Sequence, residues 1–336
     1  MMVVVYHIAL YKNIHPSNAV QGWLVNHAYL AVDLFFVISG FVISYAFDER
    51  ITGGLSFSSF MKLRVFRLYP MIAVGLGLGV FTLIGVHLAY PSIPAWRFLV
   101  AAGMNAILLP TTTLTAGKSY LFPINSVFWS LSFEMVMYAL YFATIRRMNG
   151  IVLVVFVALM AAAVGVACYF NNGLNVGFDT KNYLWGFARV TFSFFAGVLI
   201  KRRLMNIKTV HNLCYLAAPL LILILINPVA ASGVYDFITV VLALPFIAFL
   251  ATLAGEHIKL NQISKTLGEI SYPLYAIHLP LVLIFTHLTA KIHLPPSADF
   301  GLTLTFIIGL VTTAYYLNRL YDAPVRLRLS KLNLGF

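Results

Sequence analysis

The chain has 336 residues, 61% of them hydrophobic and only 10% charged, with a mean hydropathy of +0.91 and a net charge of +12. A soluble globular domain is roughly 25% charged, so the composition excludes an ordinary soluble enzyme and places the chain among polytopic membrane proteins. The basic excess does not argue for nucleic acid: the lysines and arginines sit in short clusters between apolar runs, as membrane topology requires.

A spanning helix needs about 20 apolar residues. The first run, residues 1–11, is shorter than that and predicts a helix that begins further upstream. It has neither the basic n-region nor the small-residue cleavage site of a signal peptide. Residues 28–47, 69–90, 127–145, 150–170, 183–200, 210–226, 234–254, 267–289 and 298–320 predict nine further spans. Residues 96–110 form another short apolar run.

The basic residues decide how these runs are threaded. If 96–110 does not cross, sixteen of the 22 lysines and arginines fall on one side and five on the other, with Arg189 inside a span. The clusters Lys62/Arg64/Arg67, Arg146/Arg147, Lys201/Arg202/Arg203/Lys208 and Arg326/Arg328/Lys331 then share that side. The positive-inside rule therefore predicts an all-α polytopic integral membrane helix bundle of about ten transmembrane helices, with the N- and C-termini cytoplasmic. Residues 96–110 become a re-entrant or interfacial piece, and residues 1–336 form a single membrane-embedded domain. The two cysteines, Cys168 and Cys214, both lie in apolar runs. They support neither a disulfide framework nor a Cys/His metal motif.

Several polar residues lie at membrane depth. At 1.5 Å per residue, His7 is about 6 Å and Asp33 roughly 8 Å inside the outer boundary, so the two can meet between adjoining spans. Span five brings Ser130, Ser132 and Glu134 within two turns of the same face. A charge at a helix centre costs about 2.5–3.5 kcal/mol, so this group predicts a polar cavity. Asp33 taken alone fits equally a hydrogen bond that fixes helix packing. His278 lies mid-span in SYPLYAIHLP, where its ring needs a partner. His87, His211 and His287 near span boundaries, and His15, His27, His257 and His293 in loops, read as structural or solvated. Arg64 and Arg67 stand at i, i+3 on one helical face. That placement suits the phosphates of an anionic cofactor, and it suits ordinary anchoring beside lipid headgroups.

The strings VDLFFVISGFVIS, FMKLRVFRLYP, SVFWSLSFEMVMYAL, LGEISYPLYAIHLP and YDAPVR, in this order and spacing, resemble the acyltransferase 3 family. Its members are multi-span plasma (inner) membrane enzymes that O-acylate carbohydrates of the cell envelope. The resemblance implies acyl-CoA, most commonly acetyl-CoA, as donor, a carbohydrate as acceptor, and no metal or nucleic acid. It matches His7 to the family's first-span histidine, Arg64 and Arg67 to its Arg-x-x-Arg, Trp129 to Glu134 to its Trp-Ser-Leu-x-x-Glu, and Ser271, Tyr272 and His278 to its Ser-Tyr…His. The arginine that the family carries before its histidine would fall ahead of residue 1, and a C-terminal glutamate before proline is replaced by Asp322-Ala323-Pro324.

The resemblance implies His7 as general base, because a protonated hydroxyl is a poor nucleophile. Asp33 would hold its tautomer as a carboxylate does in hydrolytic triads. Glu134 is the rival for that place, and an acyl-histidine intermediate is a second route. Arg64 and Arg67 would bind the donor, with Trp129, Ser130, Ser271, Tyr272 and His278 supporting substrate or structure. Two other classes compete. A glycolipid transporter or flippase also needs intramembrane polar groups, although such proteins often show inverted repeats and none is visible here. A catalytically impaired relative would follow from the unmatched arginine.

Overall fold

Within a bilayer the backbone must satisfy its own N–H and C=O groups, as helices or as a closed barrel, and the apolar runs of this chain take the first course. The structure is a computed structural model that describes residues 1–13, 26–89, 93–114, 120–204, 211–227, 232–253, 261–290, 292 and 294–332. Its helices are α1 (Met2–Asn13), α2 (Ala31–Thr52), α3 (Phe57–Ala89), α4 (Ala95–Ala106), α5 (Phe128–Thr144), α6 (Gly150–Asn171) and α7 (Tyr183–Leu204). They continue with α8 (Ala217–Leu225), α9 (Gly233–Ile238), α10 (Leu244–Thr252), α11 (Asn261–Thr289), α12 (Pro296–Leu317) and α13 (Ala323–Leu332).

Among the described residues, seven helical stretches are long and apolar enough to cross a membrane: Ala28–Thr52, Phe57–Gly85, Gly150–Asn171, Tyr183–Arg203, Gly233–Thr252, Ser264–Thr289 and Pro296–Lys331. The other three predicted spans are helical but shorter, at α1, α5 and Leu213–Leu225. The protein is an all-α, multi-pass membrane bundle. The ends of three predicted runs, at residues 90, 210 and 254, fall outside the described residues, as do Lys118, Lys208, Lys259 and Lys291.

Local chemistry places the helix ends and their irregularities. Asn149 caps α6, its Oδ1 accepting from the amides of Ile151 (3.0 Å) and Val152 (2.9 Å), which supplies orphan donors of the first turn with an acceptor. Thr239–Ala243 between α9 and α10, and Asn318–Asp322 between α12 and α13, are π-helical. Each precedes a proline, Pro245 or Pro324. The ladder widens where the ring withholds the amide hydrogen that an i−4 carbonyl would receive.

The bundle has two chemically different ends. At the upper end, Lys12 Nζ donates to Asp299 Oδ1 at 2.7 Å, and the Leu121 amide donates to the Phe178 carbonyl at 3.1 Å. At the lower end, Arg146 Nη2 donates to the Ile51 carbonyl at 2.7 Å and Arg202 Nε to Asp48 Oδ2 at 2.8 Å. The basic clusters among the described residues therefore gather at one end. Helix α4 has 12 residues and spans roughly 18 Å, too little to cross. Past it the chain returns to its own start, Thr113 Oγ1 donating to the Arg97 carbonyl at 3.4 Å.

At the centre, α2 and α7 pack along their lengths. Gly40 and Gly197 let the two backbones touch: a Cβ on Gly40 would lie 1.8 Å from the Phe194 carbonyl oxygen, and one on Gly197 would lie 1.9 Å from that of Val37. Such close approach is how membrane helices gain van der Waals contact where lipid supplies no hydrophobic drive. By contrast, α6 and α12 present most of their surface outward.

Candidate active site

Helix α11 carries Tyr272, Tyr275 and His278 at intervals of three, so all three project from one face. Two prolines interrupt its ladder, at Pro273 and Pro280. Pro280 has no amide hydrogen for the Ala276 carbonyl, and Asn125 Nδ2 donates to that carbonyl instead, at 2.9 Å. This ties α11 to the segment that starts α5. Tyr275 OH sits 2.6 Å from Ser130 Oγ, so one hydroxyl donates to the other, and both oxygens lie within hydrogen-bond distance of the Val127 carbonyl.

His7, on α1, meets α11 at this level. Its Nδ1 lies 3.0 Å from His278 Nε2, and His278 Nδ1 lies 2.7 Å from the Tyr275 carbonyl oxygen. His278 is fully buried while His7 is half-buried. His7 lines a cavity of about 240 Å³ beneath the upper connections, walled by aromatic rings that include Tyr6, Tyr120, Trp129 and Phe178.

Asp33 does not join them. Arg189 Nε donates to its Oδ1 (2.9 Å) and Oδ2 (3.0 Å), Arg189 Nη2 donates to Oδ2 (2.7 Å), and Ser193 Oγ donates to Oδ1 (3.3 Å). The expected His7–Asp33 pairing is corrected here: α1 packs chiefly on α11, whereas α2 turns Asp33 toward α7. A buried charge needs a counter-charge, and Arg189, 1% exposed, is that partner. Its remaining donors hold the carbonyls of Tyr29 (2.9 Å) and Val176 (3.2 Å), and its guanidinium lies 5.5 Å from the Trp129 ring centroid. Tyr29 OH in turn donates to Asp236, 2.7 Å from Oδ2. The pair thus braces the wall of the cavity that His7 lines.

Glu134 stands apart from His7 as well. Its Oε1 accepts from Ser39 Oγ at 2.9 Å and from Tyr138 OH. One turn further down α5, the Tyr138 ring lies 5.8 Å from the Arg64 guanidinium, which also covers Phe47 at 4.5 Å. Arg67 lies 5.2 Å from the ring of Tyr272, whose OH donates to the Leu68 carbonyl at 2.5 Å. Arg64 Nε and Arg67 Nη1 are buried without a hydrogen-bond partner among the described residues. Below them Arg326 Nη2 pairs with Asp322 Oδ2 at 2.9 Å.

Ser271 is exposed and donates to the Gly268 carbonyl of its own helix, outside this constellation. Of the remaining histidines, His287 is exposed and His27 is buried against the Tyr235 ring, 4.1 Å between centroids. His15, His257 and His293, and the side chains of His87 and His211, lie outside the described residues.

Residues 1–318 match the acyltransferase 3 family, described as an acyltransferase domain. The chain belongs to the acyltransferase 3 family. It is also 33% identical over 150 residues to "Protein 2 in picA locus" of Rhizobium radiobacter, a match covering 40% of this chain and 78% of that protein. No solved structure matches it. As an acyltransferase 3 protein it is a membrane acyltransferase.

Proposed function

We propose that the protein moves an acetyl group from acetyl-CoA, entering at the lower end, to a carbohydrate hydroxyl held in the upper cavity. One observation carries this reading: α11 spans both places. Tyr272 touches Arg67, while His278, two turns above, touches His7. The separation along the helix is about 9 Å, so a thioester arm anchored at the arginines has a short way to reach His7.

The arginines suit the donor's phosphates. Their buried, unpartnered N–H groups are costly as they stand, and a phosphate would accept from them in charge-assisted bonds. The upper cavity suits a sugar ring, since its tyrosines combine flat apolar faces with hydroxyls. His7 takes the proton of the acceptor hydroxyl as the oxygen attacks the thioester carbonyl. The C–S bond breaks, and the imidazolium returns the proton to the CoA thiolate. With the basic end cytoplasmic, as the positive-inside rule prescribes for an inner membrane, donor and acceptor come from opposite sides.

Membranes carrying the chain, incubated with radiolabelled acetyl-CoA and purified envelope polysaccharide, should transfer label to the glycan, and His7→Ala should abolish the transfer. Arg64→Ala and Arg67→Ala should each raise the donor KM about ten-fold or more, as expected for losing a hydrogen bond to a charged group, and leave the acceptor KM in place. Equal loss toward donor and acceptor would sink the assignment of the arginines. Label transfer indifferent to His7 would sink that of the base.

A further inference from the structure

We infer that His278 is a positioning residue that fixes the tautomer of His7, in the place where hydrolytic triads use a carboxylate. The inference rests on the reading of His7 as base, and it follows from two distances. A carbonyl oxygen can only accept, so the 2.7 Å contact to the Tyr275 carbonyl requires a hydrogen on His278 Nδ1. A neutral imidazole carries one such hydrogen, which leaves His278 Nε2 as a lone pair. His7 Nδ1, 3.0 Å away, must then be the donor. The hydrogen of His7 is thereby committed to Nδ1, and its Nε2 is left bare.

That is the tautomer a general base needs, and the lone pair that His278 Nε2 turns toward His7 Nδ1 favours it over the other, beside the backbone contact that the His7 ring makes with Val3 one turn earlier. Neither acid is hydrogen-bonded to His7 among the described residues. Asp33 is engaged by Arg189 and Ser193, and Glu134 Oε1 accepts from Ser39 and Tyr138 while its Oε2 has no partner there. The order of the relay is therefore Tyr275 carbonyl, His278 Nδ1–H, His278 Nε2, His7 Nδ1–H, His7 Nε2. When Nε2 takes the hydroxyl proton, the positive charge spreads over two rings and toward a backbone carbonyl dipole. The same proton leaves Nε2 for the thiolate at the end of the turnover, so the dyad is regenerated unchanged.

The geometry of α11 serves this arrangement. Pro280 lies two residues after His278, and the Asn125 bond to the Ala276 carbonyl holds the helix where its ladder is interrupted. The ring of His278 is fully enclosed, so it contacts no substrate and acts through His7 alone.

Two measurements on the full-length protein in bilayers test the inference. Solid-state 15N NMR of histidine-labelled protein, with His7 assigned by loss of its signals in His7→Ala, should show hydrogen on Nδ1 and none on Nε2. In His278→Leu the Nε2–H form should appear. A native His7 protonated at Nε2 overturns the relay whether or not turnover is detected. In the acetyl-CoA assay, His278→Leu should lower kcat by about 10²–10⁴-fold, the usual range for general-base catalysis, with the donor KM unmoved. His278→Gln, whose amide oxygen can still accept from His7 Nδ1, should recover at least ten-fold over the leucine variant; unchanged kcat in His278→Leu, or equal losses in both variants, overturns the relay. Activity surviving His7→Ala removes the base reading instead, and the NMR result separates the two failures.

Discussion

Asp33 and Arg189 show at the scale of single residues how a buried charge is placed. Sequence depth put Asp33 and His7 on one level, but depth does not fix rotation, and rotation decides which neighbour a side chain meets. Arg189 could have been found from the sequence by a stricter rule: a lone cation and a lone acid, each inside an apolar run, each need a counter-charge, and they can supply one another. Their bidentate contact makes a firm prediction. Removing either partner strands the other in a dry interior at a cost of about 3–5 kcal/mol, so Asp33→Leu and Arg189→Met should each depress thermal unfolding of the purified protein sharply. The double variant should regain most of the loss, because no uncompensated charge remains. Unaltered unfolding in Asp33→Asn together with lost turnover would return Asp33 to the chemistry. His278 was legible in part: a ring in mid-span has to have a partner, yet that the partner is His7, 271 positions away, follows only from the packing of α1 on α11.

At the scale of elements, hydropathy reads well because a bilayer imposes length and apolarity on every crossing. Among the described residues each of the ten predicted spans falls on helix, although the real α3 begins at Phe57 and carries Arg64 and Arg67 on its own face. What hydropathy cannot convey is how closely two helices approach. Gly40 and Gly197 look like other helical glycines in the sequence, but a Cβ at either would sit inside the van der Waals radius of a facing carbonyl. Gly40→Ala and Gly197→Ala should therefore force α2 and α7 apart and destabilise by about 1–3 kcal/mol or more, as overpacking does. Gly77 and Gly309 have nothing within 4 Å of such a Cβ, so alanine there should be neutral or slightly stabilising through helix propensity. Unfolding in mixed micelles of the four variants side by side would check the contrast. Equal behaviour of all four would show that the α2–α7 crossing is looser than these distances require.

At the scale of the whole molecule, the two ends differ in charge, and function depends on which end meets which compartment. The threading inferred from lysines and arginines required residues 96–110 to stay on one side, and the return of the chain from Thr113 to Arg97 fits it. The same threading puts the exposed Lys181 at the upper end, in the connection from α6 to α7, and the exposed Arg328 at the lower end on α13. Two single-cysteine proteins, Lys181→Cys and Arg328→Cys, made after replacing Cys168 and Cys214 by alanine, convert this into a labelling experiment. A maleimide that cannot cross membranes should reach position 181 in intact cells and position 328 only in inverted vesicles. Labelling of both positions from one side would break the alternation of spans on which the threading rests. A clean reversal would keep the bundle but put Arg64 and Arg67 outside, away from cytoplasmic acetyl-CoA, and the donor assignment would fall with it. The expected pattern would instead put Arg64 and Arg67 at the cytoplasmic end and the cavity that His7 lines at the opposite one, the orientation that the proposed transfer from a cytoplasmic thioester to an envelope hydroxyl requires.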